Sequence, residues 1–206
     1  MSMARIDDYQ NARNLAVESL CRQPLDDILK RSGYQGQGPD RLQIPFLNRT
    51  YAVSYPDFIF TDSVDSGQSV PLQEQVLILH YLAAAGPLQP TGRWIAYREI
   101  PGAAFYFSAF VKRAIDPLKK VFGNDISALK KAAARLNGKP IAAGDAGFEF
   151  LVLPRVPLQM ILWEGDAEFS AEGNILFDEN AADILSPEDA AWLAGMVVYR
   201  LMALAR

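Results

Sequence analysis

The sequence predicts an α+β protein: a mostly antiparallel sheet built from two β regions, about 42–60 and 93–98 with 148–178, packed against several helices, with further helices at both termini. Two observations carry this. Strand-like alternation comes in runs separated by runs of helical spacing, unlike the strict βαβα order of a doubly wound sheet. The 206 residues are 50% hydrophobic and 21% charged, enough to bury a core without disulfide or metal staples. At roughly 150 residues per domain the length favours one domain, 1–206, with 1–35 as an N-terminal helical extension.

Taken in order, Tyr9, Ala12, Ala16 and Leu20 recur at helical spacing, and Pro24 interrupts that helix before Leu25, Ile28 and Leu29 begin a shorter one ended by Ser32-Gly33. From Leu42 short alternations flank Asn48-Arg49 as a hairpin, with a third extended piece through Ile59. Thr61 to Ser69 reads as a polar loop. Pro71 opens a buried helix to about Ala85, and Gly86-Pro87 ends it. Residues 93–98 read as a strand. The Pro101-Gly102 turn leads to a helix from Phe105, which Pro117 is expected to kink or split, and another helix spans Ile126 to Leu136. Phe148 to Leu153, Leu158 to Trp163 and Asn174 to Phe177 read as antiparallel strands. Ser186-Pro187-Glu188-Asp189 is a helix start, with a serine cap and proline at the first position. Ala190, Leu193, Val197, Leu201 and Leu204 then form a core-facing stripe.

Composition narrows the chemistry. Cys21 is the only cysteine and His80 the only histidine, so zinc centres, iron–sulfur clusters and Cys-His nucleophile pairs lack their ligands. Cys21 reads as a small buried hydrophobe and His80 as a hydrogen-bonded core or boundary residue in its helix. No signal peptide is visible at the N-terminus, and the longest apolar run, Val76 to Ala85, is half of the ~20 residues that span a bilayer. A cytoplasmic protein without a membrane span is expected.

A net charge of −4 argues against nucleic acid as a partner, but charge is segregated along the chain. Residues 112–139 hold Lys112, Arg113, Lys119, Lys120, Lys130, Lys131, Arg135 and Lys139 against Asp116 and Asp125, whereas 145–189 hold eleven acids against Arg155. The basic block is a candidate surface for an acidic protein partner.

Two clusters are candidate chemistry. Glu164, Asp166 and Glu168 alternate after Trp163 and face one way if the chain stays extended, where carboxylates about 7 Å apart repel by roughly 2 kcal/mol at an effective dielectric near 20. They suit a hard cation, an acid–base pair or a polar ligand, or form an ordinary solvated turn. An EF-hand loop counted from Asp166 has Ala171 where glycine is required. In Arg93 to Glu99, alternation puts Trp94 and Arg98 on one face, able to stack on a planar or anionic ligand. Asp145 reads as a turn former, of interest if the fold brings it near Glu164.

The runs ILHYLAAAGPL, GRWIAYREIPGAAFY, FVKRAIDPLKKVFG and GDAGFEFLVLPRVPLQMILWEGDAEFSAEGNILFD, with the Ser-Pro-Glu-Asp helix, resemble the family known as domain of unknown function 3786 over about residues 10–205. The matching features are Leu153 to Leu158, Trp163, Gly165 to Phe169 and Leu176 to Asp178. The resemblance implies an anaerobe's protein near corrinoid, one-carbon or redox-cofactor metabolism. Some relatives carry an added cysteine-rich iron–sulfur domain, for which this chain has no cysteines.

The leading expectation is a small-molecule or cofactor-binding accessory protein, with a tetrapyrrole or corrinoid as the candidate ligand. Trp94 and Trp163 would stack on it, Arg98 and Arg155 would pair with its acidic groups, Glu164, Asp166 and Glu168 would accept hydrogen bonds, and His80 would be the only imidazole for a metal. The alternatives are a carboxylate-based or magnesium-dependent enzyme on Glu164 and Asp166, and a non-catalytic interaction module using 112–139.

Overall fold

The computed structural model describes residues 3–84 and 89–205. The fold is α+β, and its strands form two antiparallel sheets, of four and five strands. The chain divides into two compact units, Met1–Leu88 and Gln89–Arg206. The helices expected as an N-terminal extension lie within the first unit. The expected helix stop at Gly86-Pro87 lies outside the described residues. Among the described residues no helix is long and apolar enough to cross a membrane.

The first unit contains α1 (Met3–Leu20), α2 (Leu25–Ser32), strands β1 (Gln35–Gly36), β2 (Arg41–Phe46), β3 (Arg49–Ser54) and β4 (Phe60–Asp62), and α3 (Leu72–Ala83). Its strands pair in sequence order. Alternation along β2 and β3 sends Leu42, Ile44, Phe46, Tyr51 and Val53 inward, all 0% exposed, each contributing roughly 1.5–3 kcal/mol by burial. Arg13 of α1 holds two elements at once, donating from Nε to Gln75 and from Nη2 to the Phe58 carbonyl, both at 2.8 Å. The hairpin turn falls one residue before its expected place. Phe46 pairs with Arg49, so Leu47-Asn48 make the turn and Leu47 takes a left-handed backbone (φ 56°). Arg49 is thereby free to reach Asp62 at 2.9 Å and Gln68 at 2.6 Å. The third strand is also later than expected, starting at Phe60. Cys21 is exposed rather than buried, because it follows the last turn of α1 and its thiol donates to the Glu18 carbonyl at 3.3 Å.

The second unit orders its strands β5-β9-β8-β7-β6: β5 (Trp94–Ala96), β6 (Lys139–Ile141), β7 (Ala146–Leu153), β8 (Val156–Trp163) and β9 (Glu172–Asp178). Register and alternation place Phe148, Phe150, Val152, Leu158, Met160, Leu162, Ile175 and Phe177 on one buried face. Helices meet that face: the Tyr97 ring stacks on Phe110 at 4.2 Å and lies 6.2 Å from Phe177.

The expected strand 93–98 stops at Ala96. The Glu99 carboxylate accepts the Ala96 N–H at 2.6 Å, closing a single turn over Tyr97–Glu99 that carries the Tyr97 ring into the core. The next helix is one run in three parts: α4 (Phe107–Phe110), a wide π turn (Val111–Ile115) and α5 (Asp116–Phe122). Pro117 neither ends nor splits it. Lacking an N–H for the Arg113 carbonyl, proline is accommodated by the π turn, in which the Asp116 N–H reaches back to Val111. A methyl group at Gly195 would lie 3.3 Å from the Arg113 carbonyl oxygen, so glycine lets the two helices approach. α6 (Ile126–Arg135) follows, capped by Asp125, and then the short β6, absent from the sequence reading, as was α7 (Ala181–Ile184). The last helix, α8 (Pro187–Leu204), starts as expected: Ser186 Oγ accepts the Asp189 N–H at 3.1 Å and donates to the Asp189 carboxylate at 2.8 Å. Ala190, Leu193, Val197 and Leu201 are 0% exposed.

Candidate interaction surface

The seven residues expected to share one ligand all lie in the second unit, and β9 separates them into two groups. Trp94 is paired with Asp178 and Trp163 with Glu172, six residues apart on the same strand, about 20 Å at ~3.3 Å per residue. Arg155 belongs with Trp94: it lies in the β7–β8 hairpin, and its carbonyl accepts the side-chain N–H of Asn180 at 2.8 Å. Arg98 follows β5, but its guanidinium lies 3.8 Å from the centre of the Phe107 ring, so its stacking partner is internal. Glu164, Asp166 and Glu168 belong with Trp163.

Residues 164–171 form a loop between β8 and β9, not the extended piece that would point three carboxylates one way. Asp166 turns the chain, its Oδ1 accepting the N–H groups of Glu168 at 2.8 Å and Phe169 at 2.7 Å while its own N–H donates to the Phe169 carbonyl at 2.9 Å. Those N–H donors, Phe169 first and then Glu168, hold the Asp166 carboxyl below the usual carboxylate range. Asp145 does come near Glu164, accepting its backbone N–H at 2.9 Å. Gly165 donates to the Gly123 carbonyl at 2.9 Å, and a Cβ there would sit 2.7 Å from the Ala171 nitrogen, so only glycine fits. The loop is thus tied to the end of α5 and exposes Phe169 (70%), next to Trp163 (43%) at the end of β8. Among the described residues no group of three His, Cys, Asp or Glu side chains is placed to hold a metal ion.

The two charge blocks are spent differently. Among the acids, Asp178 is fully buried and accepts from the N–H groups of Thr91 (2.9 Å), Gly92 (2.7 Å) and Asn180 (3.1 Å) and from the Thr91 hydroxyl (3.1 Å). Burial pushes its carboxyl up, and these donors together outweigh that, leaving it below the usual range. Glu179 pairs with Arg93, Glu149 accepts from Gln159, and Asp189 serves the α8 cap. Of the basic residues, Arg113 is turned inward over the Trp192 ring at 4.4 Å, a pairing the sequence reading missed because Trp192 sits in an ordinary helical stripe. Arg135 donates to the Leu204 carbonyl. Lys112, Lys120, Lys130, Lys131 and Lys139 are exposed; none closes an ion pair or side-chain hydrogen bond with the described residues. On α6, Lys131 lies opposite the buried Ile126, Leu129 and Ala133, and Lys130 stands at the edge of that buried stripe, four residues after Ile126. Lys119 lies against Gly173, at the base of the tied loop.

These features define a class: an α+β protein of two antiparallel-sheet units, the second with exposed lysines on its helices and a fixed loop bearing the exposed Phe169. Within that class, residues 24–200 match the family described as Domain of unknown function (DUF3786), and the chain belongs to that family. No curated protein and no solved structure matches the chain.

Proposed function

We propose that the protein is a non-catalytic interaction module that engages an acidic protein partner through the lysine face of α5 and α6. One observation carries the reading: the acids Asp145, Asp166, Asp178, Glu179 and Asp189 are engaged in internal hydrogen bonds or ion pairs, while Lys112, Lys120, Lys130, Lys131 and Lys139 stay exposed and unpaired with the described residues. Five unpaired cations clustered in 28 residues of sequence, with Phe169 exposed on the loop tied to the end of α5 and Trp163 at the end of β8, supply long-range steering and an apolar anchor.

The small-molecule reading, with a tetrapyrrole or corrinoid held between Trp94 and Trp163, is the less supported one, because β9 keeps those rings far apart. The enzyme reading is likewise less supported, since Asp166 already spends an oxygen on two backbone donors.

The test is affinity purification of the full chain from its own host cells at low and high salt, alongside Lys120→Glu/Lys130→Glu/Lys131→Glu. A defined acidic protein retained by the wild type at low salt, released at high salt and lost by the variant is the expected result. Equal retention by the variant, recovery of nucleic acid instead, or a bound chromophore with no protein partner would overturn it.

A further inference from the structure

The outer face of the first unit's sheet carries a pit. Tyr51 and Val53 of β3 point into the core, so Ala52 and Ser54 between and beside them point outward. Ala52 is flanked by Gln43 and Thr61, and Ser54 by Arg41. On the other side Ile59 lies beside Ser54, its carbonyl accepting the Ser54 N–H at 3.1 Å and its N–H donating to Ser54 Oγ at 3.1 Å. The central strand thus presents two small side chains between longer ones. The result is a half-open cavity of about 330 Å³ lined by Arg41, Ala52, Val53, Ser54, Ile59 and Thr61, at the lower end of the ~300–1,000 Å³ of small-ligand sites.

Its chemistry is asymmetric. The Arg41 guanidinium is exposed and makes no ion pair or hydrogen bond with the described residues, and the Thr61 hydroxyl is likewise unused. Ile59 is 59% exposed, an apolar wall facing solvent, and the Ala52 methyl group forms the floor. A cation and a hydroxyl thus sit on the rim of an apolar hollow, a donor set that matches a carboxylate attached to a compact hydrocarbon body.

We propose that this pit is a binding site for a small carboxylate with an apolar body, the anion on Arg41 and the hydrocarbon against Ala52 and Ile59. It is independent of the lysine surface of the second unit. The probe is 3-phenylpropionate, titrated into the nitrogen-15-labelled full chain, with its neutral amide as control. The expected result is saturable shifts confined to the backbone amides of Ala52, Val53, Ser54, Ile59 and Thr61. Affinity should fall at least about tenfold for the amide and for Arg41→Gln, as loss of a charge-assisted hydrogen bond implies. Ala52→Leu, which fills the hollow from an outward position, should abolish the shifts; its spectrum and that of Arg41→Gln report folding directly. Absence of saturable shifts up to the solubility limit, shifts centred elsewhere, or equal affinity of Arg41→Gln would each overturn the assignment.

Discussion

Asp145 accepts the backbone N–H of Glu164 at 2.9 Å, joining the turn before β7 to the residue just after β8. The contact fixes where the 164–171 loop leaves the sheet, and Asp166 fixes its shape. The two carboxylates act on the backbone of the segment, whose Glu164, Glu168 and Phe169 side chains stay exposed.

Replacing Asp166 with Ala removes the acceptor for two N–H groups and should speed amide hydrogen exchange at Glu168 and Phe169, leaving the sheet amides protected. Asp166→Asn keeps one oxygen in place and should largely preserve protection. If both variants exchange like the wild type, the side chain does not hold the turn.

Asp178→Asn puts an amide nitrogen where an oxygen accepts N–H donors, leaving at least one buried donor unpaired. A loss of about 1–3 kcal/mol in unfolding free energy is expected, measured by chemical denaturation. The sign with pH follows from the depressed carboxyl. Its contribution is complete above the unfolded value of ~3.9 and is lost as pH falls through the lower folded value, so the wild-type advantage over Asp178→Asn should shrink in acid.

Tyr34 is 6% exposed, and its hydroxyl has no hydrogen-bond partner among the described residues. Burial, with a smaller contribution from Tyr81, holds its ionisation well above the ordinary tyrosine value. Tyr34→Phe removes a desolvated hydroxyl while keeping the edge-on contact with Tyr81, and should raise stability by about 1 kcal/mol. A lowered melting temperature would show that the hydroxyl is satisfied in solution.

Tyr97 supplies the alkaline counterpart. Burial pushes its pKa from 10.0 to about 12, only partly opposed by the Arg113 charge, and its hydroxyl donates to the Pro187 carbonyl at 2.7 Å. The folded state favours the neutral form, so this contribution is complete below pH 10 and should decline between pH 10 and about 12. Denaturation across that window should show the fall, and Tyr97→Phe should flatten it.

Elements with strong local signals were legible in the sequence: the Ser186-Pro187 helix start, the alternating strands of both β regions and the stripe along α8. What was not legible depended on partners distant in sequence. Arg98 reads as ligand-facing until Phe107 is found beneath it, and Trp94 and Trp163 read as one site until β9 sets their separation. The strand at 93–98 looked longer because the pull of the Tyr97 ring toward Phe110 and Phe177 has no local signature. The charge blocks were visible, but only the hydrogen bonds show that Asp145, Glu149, Asp166, Asp178, Glu179 and Asp189 are engaged within the fold, while Glu164, Glu168, Glu172 and Asp183 are as exposed as the lysines.

The π turn over Val111–Ile115 carries one more residue than an α-helical turn needs, so it is a place where the chain can change length. Removing a single residue there forces Pro117 into ordinary α geometry, where it lacks an N–H and its ring meets the carbonyl four residues back. The deletion should therefore be tolerated only together with Pro117→Ala; in that double change Leu118 and Phe122 keep facing the sheet and Lys120 keeps facing outward. A deletion elsewhere in this helix would rotate everything beyond it by about 100°, turning the lysines toward the core. The widest part of the helix is therefore the place where Pro117 and the length of the chain are set together.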